Sequence, residues 1–573
     1  MPGTPNRLTK FYQELKRRKV IAVIVVYATT AFILLELAGM LEQSLNLPAW
    51  FDTVVTIILL IGFPIAVIFS WIFDISSKGI TRTETEPNSA TKKDPEIAPT
   101  ALNEKPVPVK SIIVLPFENI SSDPEQEYFS DGLTEEIITD LSYINDLLVI
   151  SRSSAMTFKG TKQTITEIAE KVNVRYVLEG SVRKSENNLR IVAQLIDAST
   201  DAHIWAEKYN GKLDDVFDIQ EKVSREIAEA LKVKLNSEED KEIATHSIQN
   251  IQAFESFLKA RSEIWRFTEE GLKRALHHLN IGINLIGDNE LLLVAKGMVY
   301  WQYINAGINP DKKYLQEIHA IINKVFALNS DYAHAYFLRG IYNYKLQKLI
   351  AAVKDLKIAL QLDPNHPDTL IELARIYISA GKTEAARPLV KHLMEIDPLT
   401  PINAMYPGFI DFSEGKFERI VEPHYRMHQL DPENPWGRWV YAWSLLWNKR
   451  FDEAYDIIDL LSKEYPENIF SKIGLFWKYA FQGKKQEALN VMTKDILDKV
   501  KGAEVLARMV YHGYAILGEK EKTIDWIENA VNQGFINHPF LNKYDYLIDF
   551  IRGDERFEKL MKRVKYEWEN FNP

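Results

Sequence analysis

The sequence predicts a multi-domain protein: two transmembrane α-helices, an α+β domain with the order β-α-β-α-β-β-β-α, and then an all-α solenoid. Three observations carry this. Two apolar runs open the chain, one block alternates strand-like and helix-like patterning, and prolines recur at a fixed spacing through the second half. At 573 residues the chain is too long for a single hydrophobic core. With 46% apolar and 26% charged residues, 25 Gly and 24 Pro, it reads as globular and helix-rich. A net charge of −10 argues against nucleic acid as a partner, because phosphate contacts need clustered cations. The absence of cysteine excludes disulfides, Cys-ligated zinc, iron–sulfur clusters and a thiol nucleophile.

The two runs, Val20 to Leu41 and Val54 to Phe73, each approach the ~20 residues that cross a bilayer, so residues 20–73 read as a transmembrane hairpin. The rival reading, a cleaved signal peptide, lacks a small-residue cleavage site. Arg7, Lys10, Lys16, Arg17, Arg18 and Lys19 lie in the basic segment 1–19, the connection Glu42 to Thr53 holds no Lys or Arg, and Lys78 and Arg82 follow the second run. By the positive-inside rule both ends face the cytoplasm. The soluble part is expected there, with the periplasm as the alternative.

Residues 74–110 read as a tether; Glu84 to Lys110 carries five prolines and almost no large apolar side chain. The domain at 111–237 opens on the buried-strand run Ile112 to Leu115. Ser130 or Asp131 is expected to cap a helix with Glu135 and Glu136 in its first turn and Leu133, Ile137, Leu141 and Ile144 on one face. A strand at Leu147 to Ser151 and a helix near Thr164 to Val172 follow. Strands at Tyr176 to Lys184, Leu189 to Asp197 and His203 to Tyr209 come next, and a helix from Val216 to Leu235 closes the unit. The acidic cluster Glu118, Asp123, Glu125, Glu127, Asp131, Glu135 and Glu136 has no metal-ligand spacing, so capping and solvation account for it. No phosphate-cradling glycine loop is present.

The stretches Ile112 to Ser121, Tyr128 to Glu136 and Val177 to Arg183 resemble the TolB amino-terminal-like domain of bacterial signalling and envelope proteins, over about Lys110 to Leu235. That resemblance implies a bacterial inner-membrane protein and a non-catalytic sensing or docking module. Relatives with this domain place it beside tetratricopeptide repeats, and carry a winged-helix DNA-binding domain, as in CadC-like regulators, or a class III cyclase domain. The opening Phe11 to Val20 and the double span also resemble a subset of this family. With 19 residues before the first run, neither output domain is expected here.

Pro364, Pro398, Pro432 and Pro466 stand 34 residues apart, the tetratricopeptide period. With these prolines at repeat position 32, Gly340 and Ala374 fall at position 8, Ala352, Ala386 and Ala454 at position 20, and Ala359 at position 27. Small residues are required there because the two helices of a hairpin touch. About seven hairpins are expected over 250–534, with 535–573 as a capping segment. As the repeat family implies, positions 2, 5, 9, 12 and 13 face the concave groove. In one unit these include Trp436, Trp439, Trp443 and Trp447, and neighbouring units add Phe337, Tyr344, Met405, Phe409, Phe412, Phe470, Trp477 and Phe481. Two readings stay open: an aromatic groove for an amphipathic helix or apolar peptide, or rings buried against one another or the tail.

The function expected from these features is a membrane-anchored, non-enzymatic adaptor that binds protein or peptide partners. The alternative is a signalling or regulatory receptor subunit whose output another protein supplies. No catalytic, metal or cofactor residues are assigned: no hydrolase, kinase or cyclase signature is present, and the adjacent His277 and His278 fall on a solvated helix face. Oligomeric state, including a homo-oligomer, stays open.

Overall fold

A computed structural model describes residues 73–76, 79–82, 107–244, 248–264, 268–305 and 311–572, with single helical positions at Val54, Leu59 and Phe63. The first apolar run, and the second apart from those three positions and Phe73, lie outside the described residues. Among the described residues no helix is long and apolar enough to cross a membrane. Phe73 does not end a helix as expected. It opens β1 (Phe73–Ser76), which pairs antiparallel with β2 (Gly79–Arg82), so the first residues assigned to the tether form a hairpin. This hairpin belongs to a unit spanning residues 1–103, and everything below concerns the unit 104–573.

The α/β module contains β3 (Ser111–Val114), β4 (Glu118–Asn119), α1 (Glu127–Ser142), β5 (Leu148–Val149), α2 (Arg152–Met156), α3 (Ile165–Val172), β6 (Tyr176–Ser185), β7 (Asn188–Asp197), β8 (Ala202–Lys212), α4 (Val216–Ala230) and α5 (Ser237–Ala244). The strands form one sheet in the order β5-β3-β6-β7-β8, with β4 beside β6. The pairs at β3 are parallel, and β6, β7 and β8 form an antiparallel meander. Ile112, Ile113 and Val114 are fully buried, as a strand in the middle of a sheet requires. Leu133, Ile137, Leu141 and Ile144 pack into the same core.

Helix α1 begins earlier than expected. Asp123 accepts from the Glu125 backbone N–H at 2.9 Å and starts a 3₁₀ turn at Pro124, which continues into α1. The Asp-Pro pair supplies both the capping oxygen and a φ already set for a first turn. Ser130 therefore lies buried within the helix, and Asp131 pairs with Lys159 at 2.6 Å. At the other end of the module α4 stops at Ala230 instead of Leu235, where Lys232 takes φ +53° and the Val233 N–H returns to Ala228.

The array comprises eight helical pairs among the described residues, one more than the spacing predicts. They are α6 (Ile251–Ile264) with α7 (Glu269–Ile286), α8 (Glu290–Asn305) with α9 (Lys312–Leu328), α10 (Ala333–Lys345) with α11 (Leu349–Leu362), and α12 (Pro367–Ser379) with α13 (Thr383–Ile396). Next come α14 (Tyr406–Ser413) with α15 (Val421–Leu430) and α16 (Pro435–Trp447) with α17 (Phe451–Glu464). The last are α18 (Ile469–Phe481) with α19 (Lys485–Val491), a short α20 (Lys494–Val500), and α21 (Glu504–Ile516) with α22 (Lys520–Asn532). A final helix, α23 (Glu555–Asn570), follows an irregular stretch with a π turn at Phe540–Tyr544 and a 3₁₀ turn at Tyr546–Ile551.

The small residues lie where the helices meet. Ala352, Ala374, Ala386 and Ala454 are fully buried, and a Cβ built on Gly340 would lie 2.8 Å from Leu356. Replacing Gly340 by Leu is expected to cost about 1–3 kcal/mol, the range for overpacking. Ile350→Ala, at a position 71% exposed, should change stability by less than about 0.5 kcal/mol. Thermal unfolding of the two variants checks the contrast.

Candidate functional site

The twelve groove residues fall on the inner helices, and most of them are interior. Trp439 and Trp477 are fully buried; Phe412, Trp443, Trp447, Met405, Phe337 and Phe409 are buried; Tyr344, Trp436, Phe470 and Phe481 are half-buried. The Trp439 indole donates to Met509 Sδ at 3.0 Å and the Trp477 indole to the Met509 carbonyl at 2.8 Å. Trp443 lies 4.5 Å from Phe412, while Trp447 stacks on Phe417 at 4.7 Å. Two outer members keep looser neighbours: Trp436 against Phe470 at 4.9 Å, and Phe481 against Phe451 at 5.2 Å.

Neighbouring helices cover most of these rings, and Phe412 and Trp447 are also met by a segment more internal than the tail at Tyr566 to Phe571. After Asn532 the backbone turns back against α12, α14 and α16. The Ile536 N–H donates to the Ser379 carbonyl at 3.1 Å, the Phe540 ring reaches Phe412 at 4.7 Å, and Tyr546 meets Trp447 at 5.1 Å. Asp545, fully buried, accepts from Tyr511 Oη at 2.9 Å and lies 3.0 Å from His512 Nε2. Two glycines make room. Gly381 and Gly415 both have positive φ, and a side chain on either would run into Asn537 or Tyr544. The tail joins in as well: Phe571 lies 6.3 Å from Tyr377, and Lys382 lies 4.4 Å over the Trp568 ring.

Between these helices lies a cleft of about 320 Å3 out to its mouth, lined by Arg375, Tyr406, Trp436 and Arg508. Both cations are committed to neighbours on their own helices. Arg508 pairs with Glu504 at 2.6 Å, and Arg375 pairs with Glu372 while lying 4.1 Å over the Tyr344 ring. Deeper in, His424 packs against Phe409 and Trp443, and burial pushes its ring down to about 3.

The α/β module meets the array at two places. At the first, α1 lies on α6: Gly132 is the contact point, since a Cβ there would lie 2.6 Å from Leu258. Glu135 is held between Arg152 at 2.6 Å and Arg261 at 3.0 Å, and Arg261 also reaches Glu136 at 2.9 Å. These ion pairs and the Asp123 turn account for much of the acidic cluster. Among the described residues no group of three or more His, Asp or Glu is placed to hold a metal. A cleft of about 510 Å3 out to its mouth opens beside them, lined by Tyr128, Asp131, Arg152 and Arg261.

The second meeting place was not legible in the sequence. Asp397, in the turn after α13, is buried and accepts from Ser151 Oγ at 2.5 Å, Ser154 Oγ at 2.6 Å, Thr400 Oγ1 at 2.8 Å and Asn403 Nδ2 at 2.7 Å. The Ser151 N–H donates to the Ile396 carbonyl at 2.7 Å, and the Leu399 N–H to Ser154 Oγ at 2.9 Å. The Asp-Pro phrase signals a turn and nothing in it signals a distant partner.

Two outcomes test this interior. Trp439→Ala should lower unfolding free energy by about 3–5 kcal/mol in urea titration, the range for a buried Trp, where an open groove would leave it unchanged. The His424 ring is held below its unfolded value near ~6.5, so stability is full above that value. It falls as pH drops toward 3, because the unfolded chain binds a proton that the folded one refuses. His334, pushed down to about 4 by burial, adds to the same slope. His424→Leu should flatten the stability profile below pH 6.5 by up to ~1.4 kcal/mol per pH unit, read from urea titrations at several pH values.

Residues 109–227 match the family model for the second domain of HilA/YgeH-like transcriptional regulators, and residues 344–404 match a tetratricopeptide repeat model. A Rhizobium meliloti protein named "Putative adenylate cyclase 3" is 42% identical over 199 residues, covering 34% of this chain and 33% of that protein. Human "RNA polymerase II-associated protein 3" is 30% identical over 125 residues, covering 20% and 19%. The chain thus spans a third or less of the length of these relatives. Among solved structures, a Rap protein in complex with competence and sporulation factor aligns at 12% identity and TM-score 0.42, covering 55% of this chain and 99% of that one. Pseudomonas aeruginosa pilF aligns at 14% identity and TM-score 0.30, covering 40% and 96%. The chain is mostly helical, with tetratricopeptide repeats behind a small sheet domain of the HilA-like regulator kind.

Proposed function

We propose that this chain is a membrane-anchored, non-enzymatic adaptor that binds protein partners through its soluble unit. The observation that carries the reading is the repeat array itself, a fold built for holding other chains, joined by ion pairs and a buried hydrogen-bond knot to a regulator-type α/β module. Membrane attachment rests on the two apolar runs at 20–41 and 54–73, and a bacterial inner membrane with the soluble unit in the cytoplasm rests on the distribution of Lys and Arg around them. The TolB-like reading of the α/β module rests on Ile112 to Ser121 and Val177 to Arg183. Because the chain's own segment fills the concave face, partners contact the outer surfaces of the unit and not the tryptophan row.

A second reading is favoured by one observation, the match of residues 109–227 to a transcriptional-regulator domain. In it the chain is a signalling subunit, its module sensing a ligand and another protein supplying the output. The name of the Rhizobium meliloti relative raises nucleotide cyclisation as an output.

Three measurements separate these. The full chain should stay in the membrane pellet through carbonate washing, and removal of residues 1–73 should release it; a full chain released by carbonate refutes the anchor. A reporter fused after Pro573 should be active only on the cytoplasmic side. Purified chain incubated with ATP or GTP should form no cyclic nucleotide, and turnover would replace the adaptor reading by the enzymatic one.

A further inference from the structure

The α/β module touches the array at two points far apart along the chain, and the two contacts differ in kind. At α6 the contact is next to the covalent connection, packed by Gly132 on Leu258 and by Phe217 on Phe254 at 5.0 Å, and tied by Arg261 to Glu135 and Glu136. At Asp397 it joins residues 246 positions apart through hydroxyls and amides. Among the described residues no Lys or Arg pairs with that carboxylate; its partners are neutral. Beside it Asn365 Nδ2 donates to the Ser142 carbonyl at 3.0 Å, and Leu148 lies against Leu370, Leu393 and Ile396.

A carboxylate taken out of water and held only by neutral donors gives up hydration that it recovers when the contact parts. The serine hydroxyls and the asparagine amide do the same. The contact is mixed, a polar knot beside the small Leu148 patch, and its polar part separates at lower cost than apolar surface of equal area, so each donor is needed to keep it shut. The α6 end has apolar packing and the chain connection to hold it together, so the two ends of the same interface are unequal in strength.

We infer that the Asp397 knot is a latch and the α1–α6 contact the hinge of an opening motion between the α/β module and the repeat array. Opening uncovers the apolar faces of Leu148 on one side and Leu370, Leu393 and Ile396 on the other, together with the Asn365 amide. This inference goes beyond the adaptor reading and does not depend on which partner is bound.

The absence of cysteine makes the test direct. In the full chain, Thr157→Cys on the module and Ile402→Cys on the array carry spin labels, and pulsed dipolar spectroscopy reads the distance between them. The parent should give one narrow distribution. Asp397→Ala, and separately Ser151→Ala with Ser154→Ala, should add a longer and broader population while far-UV circular dichroism stays unchanged. Asp397→Asn, which keeps an acceptor oxygen, should give an intermediate fraction. A distribution unchanged in Asp397→Ala overturns the latch. Loss of helical signal in that variant, or in the double serine variant, overturns it equally, because the knot would then be part of the folding core.

Discussion

Two helices lie side by side at close range only where one of them offers no more than a hydrogen or a methyl group at the crossing. Gly340, Ala352, Ala374, Ala386 and Ala454 meet that condition in three of the hairpins, and the path of the array there follows from it. Because each hairpin sits in a fixed relation to the last, the superhelix curves until distant turns arrive beside one another. The Asp397 turn comes to rest against Ser151 and Ser154, and the segment after Asn532 comes to rest across Ser379, Phe412 and Trp447.

The closure explains the tryptophan row. Large flat rings on an inner helix face have two physical outcomes, exposure to an external ligand or burial by the chain itself, and the period of the sequence is the same for both. The decision is made by Phe540, Asp545 and Tyr546, in a stretch of π and 3₁₀ turns with no repeating pattern. Asp545 pins that stretch through Tyr511 and His512 in surroundings where an unsatisfied carboxylate would be costly.

Local rules were therefore readable and long-range ones were not. Burial of Ile112 to Val114, the one-sided face of α1 and the small crossing residues all follow from spacing within a few turns. The start of α1 was misplaced because Asp123 and Pro124 capture the first turn before Ser130 is reached. Glu135 and Glu136 read as dipole-complementing carboxylates, and their cationic partners Arg152 and Arg261 become visible only once α6 is folded onto α1. Asp397 looked like one of three equivalent Asp-Pro turns. Thr400 and Asn403 set it apart locally from Asp363 and Asp431, but its partners Ser154 and Ser151, 243 and 246 residues away, are not announced by any nearby residue.

The return of the segment after Asn532 also changes how the chain must assemble. In an open solenoid each repeat touches only its neighbours, so folding can spread stepwise from any starting point. Here Phe412 of α14 and Trp447 of α16 lack part of their covering until Phe540 and Tyr546 are in place, and Ser151 and Ser154 lack their acceptor until the Asp397 turn has formed. Contacts of such sequence separation slow the search for the folded state. On a ribosome emitting residues from the amino end, Phe412 and Trp447 stay partly uncovered until the segment through Tyr546 has emerged. The interval before the last residues arrive is thus the period in which this protein is most exposed to aggregation and has most need of a chaperone.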